Sequence, residues 1–194
     1  ELSNRQRQIR LAAREFAEGE LVPIGKECEA KGEFPRDLIK KAAQLGFIGC
    51  FIKKEYGGLG LGLLEHAIIL EEFWRAEPGL AQVLAQPAFG SDIILLYGTE
   101  EQKKKYLSPI VKGDWVMGFS ITEPEAGSDA ASVTTTAVSI GEEYVINGNK
   151  VMISNGTEAK FILVFCLTHP EETSKSKRHS ILLVETDRPG YKAD

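Results

Sequence analysis

The sequence predicts an α+β chain, with an all-helical domain over residues 1–114 followed by a β-sheet or barrel-like domain over residues 115–194. Three observations carry this reading. Up to about residue 115, apolar residues recur at helical spacing. Beyond it, β-branched residues and alternation take over, the pattern of strands that bury one face. Within that second part, Asn147-Gly148 stands between two alternating stretches and signals a hairpin turn, because both residues readily take positive φ.

The first helix opens on Ser3-Asn4-Arg5-Gln6, a capping box, and carries an apolar stripe of Ile9, Ala12, Ala13 and Phe16. It is expected to end before Pro23. The second has Pro35 in its first turn, a buried face of Leu38, Ile39, Ala42 and Leu45, and Gly46 as its stop. An apolar run over 47–52 leads into a glycine-rich loop over 56–62. A third helix is expected over 63–76. A fourth, over 80–97, is interrupted at Gln86-Pro87, because proline lacks the N–H that a helix interior requires. The fifth starts at the Thr99–Gln102 capping box and carries Lys103, Lys104 and Lys105 as a solvated face. In the β part, strands are expected near Val116 and over 133–139, 143–146, 149–153, 161–167 and 180–185. The polar stretch 169–178 reads as a surface loop.

Composition narrows the function classes. With 194 residues the chain is long enough for one or two domains and for a core without disulfides. A formal charge of −5 argues against a dedicated nucleic-acid binder. Cys28, Cys50 and Cys166 are far apart and form no CxxC pair, so neither a zinc site nor a redox dithiol is signalled. Three reduced, mostly buried thiols point to a reducing compartment; the expected location is the cytoplasm if the source is a prokaryote and the mitochondrial matrix if it is a eukaryote. The continuous apolar runs are shorter than a membrane span. The first residue is Glu1 rather than Met, so a trimmed N-terminus is expected.

Several motifs fail on inspection. Gly57, Gly58, Gly60 and Gly62 suggest a dinucleotide fingerprint, but Leu63 stands where its third glycine belongs and no βαβ unit surrounds it. His66, His169 and His179 have no metal-ligand spacing. The adjacent Glu71 and Glu72 point in different directions on a helix, and a solvated face is expected of them rather than an acid–base pair.

Residues 119–129, Phe-Ser-Ile-Thr-Glu-Pro-Glu-Ala-Gly-Ser-Asp, carry the candidate chemistry. Pro124 ends strand pairing for want of an N–H, and Gly127 lets the backbone approach a ligand. Thr122 and Ser128 then offer hydroxyls, beside main-chain N–H groups, to a phosphate or a polar ring edge. A plain polar turn with an Asx or Ser cap fits the same composition. The segment ITEPEAGSD closely resembles the TEPxxGSD signature of the acyl-CoA dehydrogenase family. In order along the chain, EYGGLGLG resembles that family's glycine loop, GTEEQKKKYL its helix before the β domain, and YVINGNKVMISNG its second flavin-binding hairpin.

The resemblance covers the whole chain but only about half of a typical family member. It implies a helical N-terminal domain and a middle β domain of the acyl-CoA dehydrogenase type, with the family's C-terminal four-helix domain, which supplies the glutamate base, unmatched here. It also implies FAD as cofactor, acyl-CoA as substrate, an electron-transferring flavoprotein as redox partner and a homotetramer as the assembly. Carried over position by position, Phe119, Ile121 and Thr122 contact the flavin ring, with Thr122 at its polar edge. Gly127 and Ser128 hold the pyrophosphate, Ser128 also lies near the acyl-CoA, and Met152 and Ser154 flank the isoalloxazine. Many relatives have an aromatic residue in place of Met152 and Thr in place of Ser154. Gln82, Ala85, Gln86, Pro87 and Phe89 fall where relatives line the acyl pocket. No carboxylate here matches the family base. The polar amide of Gln86 suits a short, cyclic or polar-substituted acyl group better than a long alkyl tail, because an unpaired buried amide is costly. Oxygen chemistry on the same fold, as in an acyl-CoA oxidase or a flavin monooxygenase, and a non-catalytic binding or assembly module are the competing readings.

Overall fold

The computed structural model describes residues 1–194, the side chain of Ser176 excepted. The chain divides into two compact units, Glu1–Val116 and Met117–Asp194.

The first unit is helical. Helix α1 (Asn4–Phe16) is closed at its start by the expected box: the Gln6 N–H donates to Ser3 Oγ at 3.2 Å and the Ser3 N–H to Gln6 Oε1 at 2.9 Å. It does not end before Pro23. A π-helical turn, Ala17–Leu21, carries it into α2 (Val22–Lys31), with Pro23 in the first turn of that second segment. The widened turn changes the hydrogen-bond register where proline has no N–H to give. Of the expected α1 stripe, Ala13 and Phe16 are buried, Ile9 is half-buried and Ala12 is exposed.

Helix α3 (Arg36–Gln44) buries Leu38, Ile39, Ala42 and Ala43. Leu45, expected inside, is 57% exposed. It is the last residue before Gly46, whose φ of 74° turns the chain away from the helix. Helix α4 (Leu63–Ala76) packs against α1. Phe16, Phe47 and Phe73 meet in the core with ring centroids 5.4–5.6 Å apart.

Glu71 is exposed as expected, but Glu72 is not on a solvated face: it is 2% exposed. Arg14 grips its carboxylate through two hydrogen bonds of 2.9 Å, and Arg75 Nε adds a third at 3.0 Å. A charge that deep requires such partners, and arginines from both helices supply them.

The stretch 78–97 is broken twice. Helix α5 (Pro78–Ala85) passes into a 3₁₀ turn at Gln86–Ala88, Gly90 turns the chain at φ 92°, and α6 (Ser91–Tyr97) follows. Over 18 residues of this stretch the mean hydropathy reaches 1.3, apolar enough by composition to cross a membrane, yet the stretch forms three short pieces and 44% of it is buried inside the protein. The unit closes with α7 (Glu100–Gln102), capped by Thr99, a π-helical turn at Lys103–Leu107 and α8 (Ser108–Val111). Lys104 and Lys105 are exposed, while Lys103 is half-buried against Glu100 at 3.0 Å.

The glycine cluster lies in a loop before α4. At Gly58 an added Cβ would stand 2.0 Å from the Ile52 carbonyl oxygen, so close backbone packing, not a nucleotide, explains the glycine there.

The second unit is one mixed sheet of five strands: β1 (Met117–Ser120), β2 (Thr136–Ile140), β3 (Glu143–Asn147), β4 (Phe161–Leu167) and β5 (His179–Glu185). The order is β1-β4-β2-β3, an open path, with β5 antiparallel to β4 and β1 parallel to it. Phe161, Ile162, Leu163 and Val164 of β4 are all buried, as befits the strand at the centre.

The expected hairpin at Asn147-Gly148 does not form. Strand β3 instead pairs antiparallel with β2 through a tight turn at Gly141-Glu142, where Gly141 takes φ 64°. Residues 149–153 form no strand. Neither Asn147 nor Gly148 takes positive φ. Gly148 serves close packing: a Cβ there would meet Thr135 Oγ1 at 2.1 Å.

Candidate functional site

The candidate flavin residues are gathered at the end of β1 and on the irregular segment 150–154. Phe119 is half-buried in β1, and Ile121 and Thr122 are half-buried just beyond it. Segment 150–154 runs back alongside them. The Val151 N–H donates to the Thr122 carbonyl at 3.0 Å, and a Cβ added at Gly118 would lie 3.5 Å from the Ser154 carbonyl oxygen. Thr122 and Met152 therefore stand on neighbouring stretches, as do Gly118 and Ser154. Met152 has φ 55° and a side chain 85% exposed, a conformation uncommon for a residue with a Cβ. Asn155 follows at φ 62°, and these two residues turn the chain.

Beyond Thr122 the chain makes a small turn. Glu123 and Ala126 exchange backbone hydrogen bonds of 2.9 and 3.2 Å around Pro124-Glu125. This turn delivers Gly127 and Ser128, both exposed. Nothing lies within 4 Å of where a Gly127 Cβ would be. Among the described residues, the hydroxyls of Thr122 and Ser128 have no hydrogen-bond partner. Open backbone at Gly127 and two uncommitted hydroxyls fit a polar, anionic ligand that accepts hydrogen bonds.

Two residues without an assigned role in the sequence reading build this site: Glu123 and Lys150. Glu123 is 4% exposed. Its Oε1 accepts from Lys150 Nζ at 2.8 Å and from the Thr135 N–H at 2.9 Å. Its Oε2 accepts from the Thr134 N–H at 2.7 Å and from Thr134 Oγ1 at 2.8 Å. Lys150 also donates to the Ile121 carbonyl at 2.8 Å. The available signal was an acid between Thr122 and Pro124 and a base in Asn-Gly-Asn-Lys, two residues before Met152.

The acyl-pocket candidates belong to the helical unit. Gln82, Ala85 and Gln86 follow i, i+3, i+4 spacing at the end of α5, so they make one half-buried stripe, while Phe89 follows the 3₁₀ turn in extended backbone and is exposed. Pro87 lies off that stripe and is fully buried.

Other chemistry is excluded by geometry. Cys50 Sγ lies 3.8 Å from His66 Nδ1, but burial pushes the thiol up to about 12 and the imidazole down, so the pair stays neutral and no thiolate nucleophile arises. Among the described residues no three His, Cys, Asp or Glu side chains cluster as metal ligands, and the three cysteines are free.

Comparison with known proteins identifies the family. The profile of the acyl-CoA dehydrogenase N-terminal domain matches residues 3–114, and that of the middle domain matches residues 118–194. The acryloyl-CoA reductase (NADH) of Anaerotignum propionicum is 40% identical over 192 residues, covering 98% of this chain and 48% of that protein. An acyl-CoA dehydrogenase structure from Geobacillus kaustophilus superposes with a TM-score of 0.90 at 36% identity, over 97% of this chain and 50% of that one. A glutaryl-CoA dehydrogenase from Mycobacterium smegmatis, solved with FADH2, gives a TM-score of 0.88 at 28% identity, over 100% of this chain and 48% of that one. The chain belongs to the acyl-CoA dehydrogenase family. It spans about half the length of the curated relatives it matches.

The buried carboxylates give the fold a defined acid response. For Glu123, burial is the largest single influence and would raise the pKa. The hydrogen bonds from Lys150 and from the N–H groups of Thr134 and Thr135 outweigh it and hold the carboxyl well below the usual range. The hydrogen bond from Arg14, with those of Arg75, lowers Glu72 likewise. A carboxyl with a depressed folded pKa contributes stability that is fully present above its unfolded value and is lost as pH falls towards the folded one. The urea midpoint should therefore hold steady from pH 8 to about pH 5.5 and drop as pH falls below about 4.5. A midpoint unchanged down to about pH 3 would contradict the pairing described for both acids.

Proposed function

We propose that this chain supplies the flavin- and acyl-binding half of an FAD-dependent acyl-CoA dehydrogenase, which oxidises the Cα–Cβ bond of an acyl-CoA thioester. The observation that carries this reading is the adjacency of the two hydroxyl- and N–H-bearing segments, 119–128 and 150–154. Thr122 offers its hydroxyl to the polar edge of the flavin ring. Gly127 and Ser128 offer N–H groups and a hydroxyl to the pyrophosphate, while Phe119, Ile121, Met152 and Ser154 flank the ring. Bound there, FAD supplies the two-electron acceptor that no protein side chain provides.

The chain's own part is binding and alignment rather than proton abstraction. Its two buried glutamates, Glu72 and Glu123, are held ionised by cations, and a depressed pKa makes each a poor general base. Removal of the α-proton is assigned to a carboxylate outside these two. An electron-transferring flavoprotein as redox partner and self-association into a tetramer complete the proposal, as does a reducing compartment, which the free cysteines suit. The relative named as an acryloyl-CoA reductase favours assaying the reverse direction as well, since the same bond is involved.

The flavin assignment is checked by Ser128→Leu. Ser128 is exposed, so the bulky side chain leaves the fold intact and fills the space beside Gly127. Flavin occupancy by absorbance should fall on the order of tenfold, the loss expected from one blocked charge-assisted contact. Occupancy equal to the unmodified protein would remove Gly127-Ser128 from the site.

Gln86 puts an amide on the stripe assigned to the acyl chain, which points to a short, cyclic or polar-substituted acyl-CoA. In a substrate panel, such thioesters should give the highest kcat/KM. Best turnover with a saturated long-chain acyl-CoA would sink this substrate class.

A further inference from the structure

We propose that Lys150, with Glu123 behind it, is a positioning residue for the flavin: it sets the distance between the two segments that contact the ring, so its loss changes flavin affinity and potential beyond its effect on stability. The inference rests on the flavin reading given above.

Lys150 Nζ has three protons, and two of them are used to bridge the Ile121 carbonyl and Glu123 Oε1, both at 2.8 Å. The next residue, Val151, donates its N–H to the Thr122 carbonyl at 3.0 Å. Two successive carbonyls of the first flavin segment are thereby tied to two successive residues of the second. Thr122 itself supplies the carbonyl that Val151 takes, and Met152 is the residue after Val151, so both assigned flavin contacts lie at or next to the ties. Lys150 is 10% exposed and Glu123 3% at its side chain, so water cannot substitute for either partner. The anchor behind them is rigid, because Glu123 is also tied to the backbone N–H groups of Thr134 and Thr135. Neither Lys150 nor Glu123 needs to touch the cofactor for this to matter. An error in contact geometry of about 1 Å is enough to weaken a preorganised site.

The two faces of the Glu123 carboxylate separate positioning from plain stability. Lys150 bridges Glu123 to the Ile121 carbonyl, whereas the Thr134 hydroxyl donates only to the other carboxylate oxygen and bonds none of the residues assigned to the flavin. Lys150→Met removes the tie while keeping length and apolar volume, Lys150→Arg keeps the charge and donors, and Thr134→Val removes a hydrogen bond from the same carboxylate on its far side. Each protein is measured three ways: thermal midpoint without flavin, FAD dissociation constant by fluorescence quenching, and midpoint potential of the bound flavin.

Lys150→Met is expected to weaken FAD on the order of tenfold and to shift the potential and the flavin absorption envelope, and Lys150→Arg is expected to restore most of both. Thr134→Val is expected to lower the thermal midpoint with FAD affinity held within about twofold. Should Lys150→Met fail to fold, Lys150→Gln, which keeps one donor without the charge, carries the same comparison. Potential and affinity that stay at the unmodified values, or that fall in the same proportion to stability in the Lys150 and Thr134 variants, overturn the positioning role alone. An unmodified protein that takes up no FAD overturns the functional reading together with this one.

Discussion

A carboxylate that is 4% exposed and accepts four hydrogen bonds has no freedom to move. Glu123 is such a group, and the β unit is arranged around it. Its four donors come from the two residues just before β2 and from the segment after β3, and its own backbone closes the turn to Ala126. Four acceptor sites are all that an ionised carboxylate has. Once they are filled, three stretches of chain distant in sequence are held at fixed separation. Removing one partner of such a pair costs about 3–5 kcal/mol, because the other is left charged and dry. That sensitivity, more than any net stabilisation, makes the arrangement a constraint.

The helical unit solves a similar problem differently. Glu72 is as deeply buried as Glu123, but its cations are long arginine side chains whose outer parts remain in water. Arg14 comes from α1 and Arg75 from α4 itself, so the acid ties the two helices together beneath the Phe16–Phe47–Phe73 cluster. Both acids are committed to structure. The chemistry left open lies instead on neutral groups, the hydroxyls of Thr122 and Ser128 and the backbone around Gly127. Hydrogen-bonding groups that carry no charge suit the binding and orientation of a flavin, and they leave the redox step to the cofactor.

How much was legible in the sequence depended on the range of the interaction. Caps and breaks are local, and the Ser3 and Thr99 boxes, the Gly46 stop and the interruption at Gln86-Pro87 all stand where residue chemistry put them. Strand β4 was legible because a continuous apolar run suits a central strand. Asn147-Gly148 misled, because its turn propensity is overridden by the packing of Gly148 against Thr135, a tertiary contact with no local signature. Pro23 misled because a π-turn absorbs it. Glu72 and Leu45 exchanged the expected places of acid and leucine, since burial there is set by Arg14 on a neighbouring helix and by the turn at Gly46. Of the candidate site, motif resemblance pointed to Phe119, Ile121, Thr122, Met152 and Ser154, which the fold brings onto neighbouring stretches. The Glu123–Lys150 pair that holds them was not legible, because it joins residues that only the fold brings together.

The central claim is that residues 119–128 and 150–154 form one flavin-binding surface, joined through Glu123 and Lys150. Hydrogen exchange read by mass spectrometry, on the protein with and without saturating FAD, tests it most directly. Exchange reports the opening of individual backbone N–H groups. The account predicts that FAD slows exchange in peptides covering 119–128 and 150–154 together, and in the 134–136 stretch that anchors Glu123, while the β2–β3 turn at Gly141-Glu142 is unchanged. FAD binding with protection in only one of the two segments, or with protection confined to other parts of the chain, would contradict it.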